Sequence, residues 1–140
     1  MTDMILHGFW RSSAAWRVRI AMGLKGLTWS DRTYRLRAGE QRSDAYMAIN
    51  PQGLVPALEV DGTVLTQSMA ICEYLEETVD RNPMINGSAL QRAEIRRLVA
   101  LFDDNFYADV TEPALHEKMK KRIVLRQSPD AQVLRQLGRM

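Results

Sequence analysis

The chain has 140 residues, 46% of them hydrophobic and 26% charged, which suits one domain or two small ones with a buried core. Its formal net charge of +2 is too small to point to nucleic acid, and no apolar run approaches the length of a membrane span. A single cysteine excludes internal disulfides and CxxC metal or redox motifs and fits a reducing compartment; with no secretory start at the N-terminus, the chain is expected in the cytoplasm.

Met4-Ile5-Leu6-His7 is a short apolar run suited to a first buried strand, and Gly8 to Arg11 turn the chain out of it. Ser12 and Ser13 stand before Trp16, Val18, Ile20, Ala21 and Leu24, read as the apolar face of a helix, with Arg17, Arg19 and Lys25 on the other side. Gly26 is placed to close that helix. Thr28 to Leu36, rich in Thr, Trp and Tyr, reads as a second strand, and Ser43 to Ile49 as a short helix ending before Asn50-Pro51.

Val55-Pro56 then interrupts an apolar run where a strand begins. Asp61-Gly62 reads as the turn of a hairpin joining Ala57-Leu58-Glu59-Val60 to Thr63-Val64-Leu65. Thr66-Gln67-Ser68 opens a periodic segment with Ala70, Ile71, Tyr74 and Leu75. The order is β-α-β-α-β-β-α, which predicts an α/β fold: a four-stranded mixed sheet with helices on its faces.

Asp80 to Gly87 concentrates turn formers, and strand signals end there. Domains are therefore expected at 1-80 and 88-140, with a linker at 81-87. Ser88 to about Val110 reads as a long amphipathic helix with Leu90, Ile95, Leu98, Val99, Phe102 and Phe106 on one side. Pro113 is expected to interrupt or kink its continuation, a helix resumes from Leu115 to Gln127, and Ser128-Pro129-Asp130 starts a last one. Lys118, Lys120, Lys121 and Arg122 read as a solvated basic face, and Cys72 as a packed structural residue. His7 and His116 have no Cys or His partners at ligand spacing, so no metal is expected. From the residues alone, Ser12 and Ser13 read equally well as a helix cap or as catalytic hydroxyls.

Three motifs in order, Trp10 to Ile20 (WRSSAAWRVRI), NPQGLVPALEVDG and QSMAICEYLEE, resemble the N-terminal thioredoxin-like domain of cytosolic glutathione transferases over roughly residues 4 to 79. They are most similar to the zeta class, which includes maleylacetoacetate isomerase. The resemblance implies a glutathione transferase with glutathione as cosubstrate. Ser12, with Ser13 beside it, would donate to the glutathione sulfur. Val55 would pair its backbone with the cysteinyl part, and Pro56 would be the cis proline that exposes that backbone. Gln67 and Ser68 would hold the γ-glutamyl carboxylate at a helix N-terminus, and Gln41 would approach the glycyl end.

The activated thiolate would attack a small electrophile, or add reversibly to a conjugated double bond and so isomerise it from cis to trans. The resemblance also implies a homodimer, with Asp103 and Asp104 reaching a ligand across the subunit boundary. Trp10 and Trp16 read as packing residues, with Trp10, next to the serines, the alternative candidate for lining a second-substrate pocket. No nucleic acid or membrane partner is expected. In two respects the chain departs from the family pattern. Ala14 stands where the zeta motif has a cysteine, and the helical part is shorter than the family's second domain. An alternative reading is therefore a non-catalytic glutathione-binding or structural module without a complete second-substrate pocket.

Overall fold

A computed structural model of the chain describes residues 3–139. They form two compact units that part between Met84 and Ile85. The first carries a four-stranded sheet in the order β2-β1-β3-β4, built from β1 (Met4–Gly8), β2 (Ser30–Thr33), β3 (Ala57–Val60) and β4 (Thr63–Thr66). β2 runs parallel to β1, while β3 and β4 are antiparallel to their neighbours. Helix α1 (Ser13–Leu24) makes the crossover between β1 and β2. The short α2 (Asp44–Met47) follows two 3₁₀ turns, and α3 (Ser68–Thr78) follows β4. The expected mixed sheet with flanking helices is thus present.

Local chemistry sets the boundaries. The α1 helix ends at Lys25, where Gly26 takes φ +64, Gly26 N–H donates to Gly23 and Leu27 N–H to Met22, closing the last turn in a left-handed cap. Asp61 and Gly62 both have positive φ, as a two-residue hairpin turn with the right-handed twist of its strands requires. The second strand is shorter than expected. β2 is an exposed edge, and its chain turns away at Tyr34, whose hydroxyl lies 2.9 Å from His7 Nδ1.

The face of α1 is a correction. Ala15, Val18, Ala21 and Met22 are buried, but Trp16, Ile20 and Leu24 are 51%, 56% and 55% exposed. Trp16 and Ile20 stand two residues either side of Val18, and at about 100° per residue an i, i+2, i+4 set cannot share one helical face. Lys25, seven residues after Val18, instead falls on the core side and is fully buried. Its ammonium lies 2.7 Å from Glu76 Oε2 and donates to the Val79 carbonyl at 2.8 Å. Arg81 and Asn82 complete this corner by donating to the carbonyls of Lys25, Gly26 and Leu24. The core proper joins Leu6, Val18, Met22, Leu58, Ile71 and Leu75.

In the second unit α4 (Ala89–Ala100) starts with a reciprocal cap, Ser88 Oγ accepting from Gln91 N–H and the Gln91 side chain accepting from Ser88 N–H. A π-helical segment, Leu101–Thr111, continues it into α5 (Glu112–Leu115) and a second π-helical segment, His116–Leu125. Pro113 therefore does not interrupt the helix. It sits in the first turn of α5, directly after the π-helical segment, a position that tolerates proline. No α4 residue is buried, so the expected apolar stripe remains open: Leu90 is 84% exposed and Phe102, in the segment after it, 61%. The last helix, α6 (Ala131–Leu137), is capped by Asp130 rather than by Ser128, because the Asp130 carboxylate accepts from both Gln132 and Val133 N–H.

Candidate functional site

Sheet register brings the three sequence motifs to one end of the first unit. His7 pairs with Ala57, and Ala57 with Thr66. The chain that leaves β1 toward Ser12, the chain that enters β3 through Val55-Pro56, and the chain that leaves β4 into Gln67-Ser68 therefore emerge side by side.

Ser12 caps α1. Its Oγ accepts from Ala15 N–H at 3.2 Å, which uses an acceptor site and leaves the hydroxyl proton to be given elsewhere. Ser13 is exposed in the first turn of α1. Together with Trp10, Trp16, Ile20, Leu24 and Cys72, it borders an open groove of about 930 Å³. Trp16 Nε1 donates to the Trp10 carbonyl at 2.6 Å, which ties the Trp16 ring to the Trp10 backbone on that wall.

The Val55-Pro56 bond is cis, and the loop before it is held from beneath. Tyr46 Oη and Asn50 Nδ2 both donate to the Leu54 carbonyl, at 2.5 and 2.7 Å. Burial pushes the Tyr46 phenol up to about 12, so it remains a neutral donor. Asn50 Oδ1 also accepts from Gln52 N–H. Gly53 is buried at φ +62, and a Cβ there would come within 3.3 Å of the Gln41 carbonyl, which places Gln41 against this loop. Gln41 Oε1 is a buried side-chain atom with no hydrogen-bond partner among the described residues.

Gln67 precedes α3 with φ 68 and ψ 110, a conformation costly for a residue with a Cβ. Its side chain does not cap the helix; Nε2 donates to Gln52 Oε1 at 3.0 Å. Ser68 is buried, and its Oγ accepts from Arg17 Nη1 at 2.9 Å. Sequence reasoning put Arg17 on the solvent side. Its spacing of four from Ser13 was the available signal that it shares the face of the candidate serines. Tyr46, Asn50 and Gln52 were also not singled out, because each acts on the loop rather than as a recognisable site residue. Asp103 and Asp104 lie in the first π-helical segment of the second unit.

No group of three or more His, Cys, Asp or Glu side chains among the described residues could hold a metal ion. No described helix is long and apolar enough to cross a membrane.

Comparison with known proteins places this architecture. Residues 11–78 match the family of the glutathione S-transferase N-terminal domain. A maleylacetoacetate isomerase from Pseudomonas aeruginosa is 46% identical over 101 residues, which cover 70% of this chain and 48% of that protein. A glutathione S-transferase structure from Rhodospirillum rubrum F11 superposes with a TM-score of 0.80 at 40% identity, covering 94% of this chain and 59% of that one. A maleylacetoacetate isomerase from Methylobacterium extorquens AM1, solved with malonate and glutathione bound, gives a TM-score of 0.70 at 39% identity over 81% of this chain and 55% of that one. The chain spans about half the length of the curated relatives it matches. By the matched motifs, the mixed sheet and these likenesses, residues 11–78 belong to the glutathione S-transferase N-terminal domain family.

Proposed function

We propose that the chain binds glutathione at this end of the sheet and lowers the pKa of its thiol for attack on a small electrophile. The observation that carries the reading is the register His7, Ala57, Thr66, which gathers the Ser12 loop, Val55-Pro56 and Gln67-Ser68 into one place. Ser12 donates a hydrogen bond from its hydroxyl to the sulfur, and Ser13 stands beside it. Val55 pairs with the cysteinyl backbone next to Pro56. Gln67 and Ser68 take the γ-glutamyl carboxylate at the start of α3, where free N–H groups and the positive end of the helix favour an anion. Gln41, whose buried Oε1 has no hydrogen-bond partner among the described residues and can accept from the glycyl N–H, meets the glycyl end.

The energetics are sufficient. A free thiol of pKa about 8.5 is only a few per cent thiolate at neutral pH, and lowering it by about two units needs about 2.7 kcal/mol. A hydrogen bond to a charged group supplies about 1.5–3 kcal/mol and a helix N-terminus about 0.3–1. Ser12 at the start of α1 provides both. The thiol proton leaves to solvent, and the sulfur lone pair forms the new bond to the electrophilic carbon as that carbon's leaving group departs with its bonding pair. If that carbon belongs to a conjugated cis double bond, addition, rotation and elimination return the thiolate and leave the trans isomer.

Domains at 1-80 and 88-140, joined at 81-87, a cytoplasmic location and a homodimer belong to the same reading. Trp10 then faces the electrophile, and Asp103 and Asp104 serve a neighbouring subunit. The second reading is a glutathione-binding module without a complete second-substrate pocket and so without turnover. Ala14, at the position where the zeta motif has cysteine, counts against the isomerisation and not against thiol activation through Ser12. Retention on immobilised glutathione, followed by conjugation of a general aromatic electrophile by wild type and Ser12→Ala, separates the two. Binding with turnover that depends on Ser12 is expected; binding without turnover gives the module, and no binding removes both. Sizing in solution tests the dimer.

A further inference from the structure

The Leu54 carbonyl receives two buried donors at once, Tyr46 Oη at 2.5 Å and Asn50 Nδ2 at 2.7 Å, although the Leu54 side chain itself is exposed. Tyr46 is fully buried and Asn50 nearly so. The Leu54 carbonyl and the Val55 N–H belong to one peptide plane, and in a trans peptide they point in opposite directions. Among the described residues the cis bond is the next one, Val55-Pro56. Fastening the carbonyl toward the buried pair therefore turns the Val55 N–H away from it.

Each donor is itself fixed. Tyr46 begins from the cap of α2, where Ser43 Oγ accepts its N–H, and its ring lies against Tyr34 with centroids 4.5 Å apart. Tyr34 is held in turn by His7, on the central strand β1. The Asn50 amide is oriented by the Gln52 N–H on its oxygen, which leaves its nitrogen for Leu54. A loop with no regular structure of its own is thereby tied at one atom to the sheet and to α2.

We propose that Tyr46 and Asn50 are positioning residues for glutathione, setting the direction of the Val55 N–H that receives the cysteinyl carbonyl. The inference rests on the glutathione reading of this site and goes beyond it, since neither residue touches the ligand. Two donors on one carbonyl also explain why the loop can keep this orientation without ligand: loss of either leaves one bond, about which the peptide can swing.

The test compares two ligands: glutathione, and an analogue in which the cysteinyl carbonyl is reduced to methylene. Wild type is expected to bind glutathione more tightly than the analogue. Tyr46→Phe, which keeps the ring and removes the donor, is expected to bind glutathione roughly 3- to 10-fold more weakly while binding the analogue as wild type does. In turnover the loss falls on KM for glutathione and leaves kcat unchanged. Equal loss on both ligands means general loosening and overturns the proposal, as does no loss on either. Asn50→Asp, which keeps the acceptor for Gln52 and removes the donor, gives an independent variant.

If neither variant folds, the Val55 amide resonance of wild type decides. A downfield shift on adding glutathione but not the analogue supports the proposal, and an unmoved resonance overturns it. Wild type that fails to bind glutathione at all overturns the parent reading, whereas wild-type binding with an unaffected Tyr46→Phe overturns this inference alone.

Discussion

Arg17 Nη1 on α1 donates to Ser68 Oγ in the first turn of α3 across 2.9 Å, joining the helix that begins with Ser12 to the helix proposed to receive a carboxylate. A hydroxyl that accepts through one lone pair keeps its own proton to give. Arg17 thus both orients Ser68 and adds a positive charge beside an anion site. Arg17→Met is expected to weaken glutathione binding by about 1–2 kcal/mol, read by calorimetry, with a smaller loss at high salt because the charge contribution is screened. Unchanged affinity and salt dependence would remove Arg17 from the site.

The cap that Ser12 makes on α1 and its proposed role as thiol donor separate by substitution. As a cap it contributes about 0.5–2 kcal/mol, most of which glycine retains. As a thiol donor it contributes through a proton that glycine and alanine both lack. Ser12→Ala should lose stability and thiolate formation together, whereas Ser12→Gly should stay close to wild type in denaturant melts yet show the same raised thiol pKa. Ultraviolet thiolate absorbance of bound glutathione against pH measures the second quantity. A wild-type thiol pKa in Ser12→Gly would leave the serine as a cap only.

Gln67 holds φ 68 at the mouth of the site without capping α3. Gln67→Gly should raise stability by about 1 kcal/mol by relieving that backbone while weakening glutathione binding, since the side chain and its bond to Gln52 are lost. Urea unfolding and calorimetry on the same protein show whether the two move in opposite directions; a variant that is both less stable and equally tight would contradict the assignment.

The buried Lys25–Glu76 pair is far from neutral in its consequences. Lys25→Ala leaves a partly buried carboxylate without its cation and should cost about 3–5 kcal/mol. Lys25→Met with Glu76→Leu should recover much of that loss, because an apolar pair of similar volume needs no desolvated charge. Chemical denaturation of the two variants against wild type reads both effects.

Burial raises the Tyr46 phenol from 10.0 to about 12 in the folded chain. The folded state therefore holds this proton longer than the unfolded chain does. The associated stabilisation is full below about pH 10 and is lost as pH rises to about 12. Tyr46→Phe should flatten the fall in stability over that interval. Tyr34, also raised by burial, titrates in the same direction, and because its ring centroid lies 4.5 Å from that of Tyr46 the difference between the melts reads the coupled pair.

Much of the first unit follows from local sequence. The Asp61-Gly62 turn, the cap and closing glycine of α1, and the order of strands and helices rest on residues whose backbone preferences act within a few positions. The three motifs also marked the segments that meet at one end of the sheet, because each lies at a strand or helix end with its own turn chemistry. Sequence did not determine which face of α1 is inside. Three apolar residues spaced by two looked like a stripe, and only packing against the sheet selected Val18 and Met22 over Trp16 and Ile20 and drew Lys25 inward to Glu76. Nor could it reveal that Arg17 meets Ser68 across fifty-one positions, or that Tyr46 and Asn50 converge on one carbonyl. Those contacts are long-range or loop-borne, so they exist only once the register of β1, β3 and β4 has brought the chain ends together. Tertiary structure alone brought the aligned motifs to one end of the sheet.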